Sequence, residues 1–250
     1  MLHGSVGDAA LAADLAEQAG RILLDLRARG EFEGKALGKE GDRLANAYLM
    51  DRLRTERPDD GILSEESRDT LERLFKARVW IVDPLDGTRE YGEERPDWAV
   101  HVGLAVDGLA QVGAVALPGI DDGLVLRSDR AVPAAAHDGA PRMLVSRTRP
   151  AAEALAVAET LGCELVPMGS AGAKAMAVVL GQAEIYLHSG GQYEWDNCAP
   201  VAVARAHGLH CSRIDGSPLV YNNKDTYLPD LLICRPEWAE PALAIVAELR

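Results

Sequence analysis

The sequence predicts an α/β protein whose halves are built differently: an α+β N-terminal half and an α/β C-terminal half. Three observations carry this. Apolar residues first recur at helical intervals; four apolar runs then follow between residues 79 and 128; beyond residue 140 short strands alternate with helical segments. The Ala/Pro/Gly stretch "AVPAAAHDGAP" breaks all periodicity and places the expected boundary near residue 140, giving domains 1–140 and 141–250.

Taken in order, residues 8–28 space Leu11, Leu15, Ile22, Leu23 and Leu26 along one helical face. "EFEGKALGKEGD" (31–42), rich in Gly and charge, reads as a loop, with Asp42 as N-cap of a second helix closed before Pro58. "GILSEES" is a short strand running into a loop with two glutamates. "VWIV", "WAVHVGLAV", "LAQVGAVAL" and "GLVLRS" are strands, and Asp107-Gly108 is a hairpin signal between two of them. In the second half the strands "MLVS", "CELVPM" and "AEIYLH" alternate with helices expected at 150–161, 171–180 and 197–206.

Composition narrows the function. The 250 residues are 48% hydrophobic and 26% charged, as in ordinary globular proteins, and no run approaches the roughly 20 apolar residues of a membrane span. Thirty-nine acids against 26 bases give a net charge of −13, which argues against nucleic-acid binding. If the ligand is itself an anion, cations must stand between it and the protein. The first 20 residues lack a basic and an apolar signal region, so a cytoplasmic location is expected. Four cysteines without C-x-x-C spacing read as buried thiols.

The stretch "WIVDPLDGTREY" (80–91) ends an apolar strand on two aspartates around a rigid turn. Asp83 and Asp86, with the Leu85 carbonyl and the Thr88 hydroxyl, are the hard oxygen donors Mg²⁺ prefers; equally, Asp86-Gly87 makes a turn and Asp83 a cap. Glu65 and Glu66 are either solvated acids or further ligands. Asp196 precedes an Ala/Val helix, where a carboxylate can cap with one oxygen and reach a metal with the other.

Together these segments resemble the magnesium-dependent, lithium-sensitive phosphatases of the inositol monophosphatase superfamily. "SEES" (64–67), "DPLDGT" (83–88) and "WDNCA" (195–199) carry the resemblance, which spans nearly the whole chain. It implies the layered α-β-α-β-α sandwich of the sugar phosphatases and two or three Mg²⁺ ions. Glu65, Asp83, Asp86, Asp196 and the Leu85 carbonyl are implied as metal ligands. Hydrolysis would use metal-activated water, oriented by Glu65 and Thr88, with Asp42 also in the catalytic group. Asp42 ends an element that reads Thr-x-Ala-Asp in the family but Lys39-Glu40-Gly41-Asp42 here. No histidine nucleophile is implied; the six histidines read as structural or exposed, with His188 near the site.

Arg89-Glu90-Tyr91 and the triplet Glu194-Trp195-Asp196 are similar to the 3′-phosphoadenosine 5′-phosphate (PAP) phosphatase branch. In "GSAGAK" (169–174), Ser170 and Lys174 lie four apart at a helix N-terminus and are expected to face a second phosphate. In "SRTRP" (146–150), Ser146 and Arg147 match the branch, and Arg149 replaces a usual histidine. Gly87, Thr88, Ser170, Lys174, Glu194 and Arg149 are thus expected to line a small nucleotide bisphosphate. The competing readings are a broad inositol-1-phosphatase or fructose-1,6-bisphosphatase, and an inactive nucleotide- or metal-binding module. Relatives of this kind are monomers or homodimers.

Overall fold

The computed structural model describes residues 7–132, 137 and 139–249; the proposed boundary stretch and the N-terminal segment lie partly outside the described residues. Two long helices come first, α1 (Asp8–Arg29) and α2 (Gly34–Glu56). Strands β1 (Gly61–Ser64), β2 (Arg78–Asp86), β3 (Ala99–Val106), β4 (Leu109–Leu117) and β5 (Leu124–Arg127) form a sheet in chain order. It is parallel at β1–β2 and antiparallel elsewhere, with the short helix α3 (Thr88–Gly92) following β2. The second sheet has the order β7-β6-β8-β10-β9, from β6 (Arg142–Ser146), β7 (Glu164–Met168), β8 (Ile185–Ser189), β9 (His210–Ser212) and β10 (Asp230–Cys234). Around it run α4 (Ala152–Leu161), α5 (Ala171–Val179), α6 (Glu194–Ala206) and α7 (Ala239–Glu248).

Strand alternation builds the layers. Along β2, Trp80 and Val82 join Leu15, Leu23 and Leu49 of α1 and α2 in one core. Val79 and Ile81 face the other way, toward Met176 of α5 and Val201 of α6. Leu144, Tyr186 and Ile233 of the second sheet share that middle core. Met143, Ile185 and Leu232 point outward to Val157 of α4 and Val246 of α7. The result is the five-layer α-β-α-β-α sandwich, with a middle core drawn from both halves.

The expected hairpin is present, Asp107 and Gly108 both taking positive φ between β3 and β4. The loop expected at 31–42 is not: α2 already begins at Gly34, so Asp42 lies inside the helix and is not its N-cap. The glycines that suggested a loop serve close packing. A Cβ at Gly38 would lie 2.6 Å from Thr88 Cγ2, and one at Gly41 would lie 2.9 Å from Leu23 Cδ2. Helix α6 likewise starts at Glu194, three residues early, which puts Asp196 in its first turn.

Candidate active site

The site begins where β2 loses its register. Asp83 pairs with His101 and Asp86 with Ala99, and the ladder shifts between them, at Pro84-Leu85. The Leu85 N–H donates to Asp83 Oδ1 (3.0 Å), closing a side-chain turn. Gly87 takes φ 85° and caps α3, and a Cβ there would press on Ser170 Cβ at 3.2 Å. The Thr88 hydroxyl then donates back to the Leu85 carbonyl (3.1 Å).

Asp196 enters from the first turn of α6, where its Oδ2 accepts the Tyr193 N–H (2.7 Å). Asp83, Asp86 and Asp196 each offer an oxygen, all within 4.8 Å of one another. Burial and then the charges of Glu65, Asp86 and Asp196 push the Asp83 carboxyl well above its ordinary range. Burial and Asp86 push Asp196 up to about 7. Glu65, on the loop after β1, rises to about 7 through desolvation and the neighbouring Glu66, although its residue surface stays open at the rim. Asp42, half-buried on α2, is also pushed up to about 7 by burial, Glu66 and Glu65, with the Thr88 hydroxyl opposing.

Asp86 is the exception. Burial works against its charge, but His101, the Ser170 hydroxyl (2.5 Å) and the Gly172 N–H (2.6 Å) hold its carboxyl well below the usual range. Clustered carboxylates that repel one another in a buried place form a donor set suited to a hard divalent cation, and among the described residues no Lys or Arg pairs with Asp83 or Asp196. A cleft of about 800 Å³ opens alongside, lined by Lys35, Lys39, Asp42, Glu66, Thr88 and Arg89.

The residues expected to line the substrate divide. Ser170 adopts φ 52° as N-cap of α5; its hydroxyl accepts from the Ala173 N–H and donates to Asp86. Lys174 is buried with Nζ on the Ser170 (2.6 Å) and Gly169 (3.2 Å) carbonyls and over the Tyr186 ring. The pair does share one face, as their spacing predicts, but their polar atoms are engaged within the protein rather than turned to a second anion. Glu194 departs further: it is 0% exposed, and its oxygens accept the N–H groups of Asn222 and Asn223 (both 2.7 Å) and the Asn223 side chain. It clamps the 222–223 loop. Arg149 is exposed, and its guanidinium has no hydrogen-bond partner among the described residues.

The Arg89-Glu90-Tyr91 segment is likewise tied into the fold. Glu90 accepts from Arg147 (2.9 Å), Tyr91 donates to the Leu23 carbonyl (2.7 Å) and Arg89 pairs with Glu93 (2.8 Å). His188 lies on the rim with Nε2 on the Gly190 carbonyl (2.8 Å), its basicity lowered by burial. The histidine at the acids is His101, which sequence reasoning left among the structural ones. Its one signal was position: a lone polar residue in an apolar strand that pairs with the strand ending in "DPLD".

The model of the inositol monophosphatase family matches residues 8–249, nearly the whole described chain. The chain belongs to the inositol monophosphatase family. A 3′-phosphoadenosine 5′-phosphate phosphatase of Mycobacterium leprae is 50% identical over 97% of this chain and 94% of its own length. The protein of the same name from Mycobacterium bovis is 51% identical over 92% and 90%. The 3′(2′),5′-bisphosphate nucleotidase CysQ of Escherichia coli K12 is 32% identical over 75% and 80%. Among solved structures, CysQ from Bacteroides thetaiotaomicron, described as a bacterial member of the family, superposes with a TM-score of 0.77 at 24% identity, covering 94% of this chain and all but 1% of its own. The likeness of this family member to that structure is one of fold.

Proposed function

We propose that this chain is a Mg²⁺-dependent phosphatase that hydrolyses the 3′-phosphate of PAP to give AMP, serving sulfur assimilation in the cytoplasm. The observation that carries the reading is the 50% identity, across 97% of the chain, to a relative named for that activity. The buried triad of Asp83, Asp86 and Asp196 supports it with a donor set fit for magnesium. These three, with Glu65 and the Leu85 carbonyl, would hold the ions, residues 1–140 supplying most ligands and residues 141–250 supplying Asp196. When bound, Mg²⁺ neutralises the crowded acids, acidifies water and offsets charge on the leaving oxygen.

The chain's own residues position the reaction. Thr88, fixed by the Leu85 carbonyl and beside Asp42, orients the attacking water together with Glu65. Glu65, beside Asp83 and Asp86, is placed to accept that water's proton. Arg149 is an exposed cation available to a nucleotide phosphate.

Phosphate release from PAP, inositol 1-phosphate and fructose 1,6-bisphosphate, each with Mg²⁺ and with added Li⁺, tests the reading. PAP is expected to be turned over fastest and Li⁺ to inhibit. Faster release from inositol 1-phosphate would overturn the substrate, and no release from any would leave a binding module.

A further inference from the structure

His101 is 0% exposed in the middle of β3, opposite Asp83 in the β2–β3 ladder. Its Nδ1 lies 3.0 Å from the Trp195 carbonyl oxygen; a carbonyl only accepts, so Nδ1 is the donor. That leaves Nε2 3.2 Å from Asp86 Oδ2, a charge contact made when the ring is protonated and lacking hydrogen-bond geometry. One ring therefore touches both segments that carry the acid triad, the end of β2 and the start of α6.

Space around the ring supports the same conclusion. A Cβ on Gly172 would lie 2.0 Å from His101 Nε2, so α5 approaches this closely only because residue 172 has no side chain. The N–H of that glycine donates to the same Asp86 Oδ2 (2.6 Å). Filling the core would need only another aliphatic residue, as at Ala99 and at Val115, the register partner of His101, on the same face of the sheet. A buried imidazole is costly unless its nitrogens have partners; here Nδ1 is bonded to the Trp195 carbonyl and Nε2 stands directly against Asp86.

We propose that His101 is a positioning residue: it spans from Asp86 to the Trp195 backbone and holds the triad at the spacing that takes a divalent cation. The inference rests on the cation-dependent reading of the triad. Groups that orient metal-holding side chains in this way typically change metal affinity about 10–100-fold when removed.

The test uses the full chain and two readouts, the Mg²⁺-induced rise in melting temperature and the kinetic response to Mg²⁺ and PAP. His101→Phe is expected to raise the Mg²⁺ concentration at half-maximal thermal shift about 10–100-fold. The PAP KM at saturating Mg²⁺ should move far less. His101→Gln, which can present an N–H near the place of Nε2, should recover much of the Mg²⁺ response. Gly172→Ala, which crowds the ring from α5, should reproduce the loss, and decides the matter if His101→Phe does not fold. A wild-type Mg²⁺ half-point in a folded His101→Phe or in Gly172→Ala, or a His101→Gln no better than Phe, would overturn the proposal. No Mg²⁺ shift in the wild type would instead refute the cation reading itself.

Discussion

Two carboxylate sites in the same molecule are treated in opposite ways. At the head of β10, Asp230 accepts Arg213 through both oxygens (2.7 and 2.6 Å) and the Ile214 N–H (3.0 Å). Burial opposes its charge, but Arg213 outweighs it and holds the carboxyl below its usual range. At the end of β2, Asp83 is at least as buried, faces Glu65, Asp86 and Asp196, and is pushed far upward. The first arrangement is complete within the chain and stabilises it. In the second the acids repel one another, and on the proposed reading cations from outside relieve that repulsion.

Neutralising single acids is the strongest way to break this contrast. Asp83→Asn, Asp86→Asn and Asp196→Asn are each expected to lower turnover at least ~100-fold, with the fold retained by circular dichroism. A folded Asp86→Asn of near-wild-type activity would remove the triad from the reaction. A smaller effect is expected at the paired site, where Asp230→Asn should cost about 1–3 kcal/mol of stability and leave the Mg²⁺ requirement unchanged. The pH dependence there has a definite sign. Because Asp230 titrates lower when folded, its stabilisation is fully present above the ordinary carboxylate value of 3.8 and is lost as pH falls through the folded value. Urea unfolding from pH 7 to pH 3 should therefore show a shallower acid limb in Asp230→Asn than in the wild type.

The parts of this molecule that sequence makes legible are those set by local chemistry. "DPLDGT" combines a proline, a positive-φ glycine and two acids in six residues, so both its turn and its donor set can be read along the chain. The layering follows from alternation in β2 through β4. What stayed hidden depends on partners distant in sequence. Gly38 and Gly41 look like loop residues until Thr88 and Leu23 are seen to need the space. Ser170 and Lys174 do share a face, but only the fold shows Asp86 and two carbonyls already meeting them. Glu194 reads along the chain only as part of a triplet with Trp195 and Asp196, and the fold alone shows that it holds the 222–223 loop.

The most direct measurement follows the melting temperature of wild type and Asp86→Asn as Mg²⁺ is added after chelation. At about 100 times the dissociation constant, binding should stabilise the wild type by about 2.7 kcal/mol and raise its Tm by several degrees. The variant should need far more Mg²⁺ for the same rise. Equal curves for the two proteins, or no rise in the wild type, would contradict the assignment of the triad as the cation site.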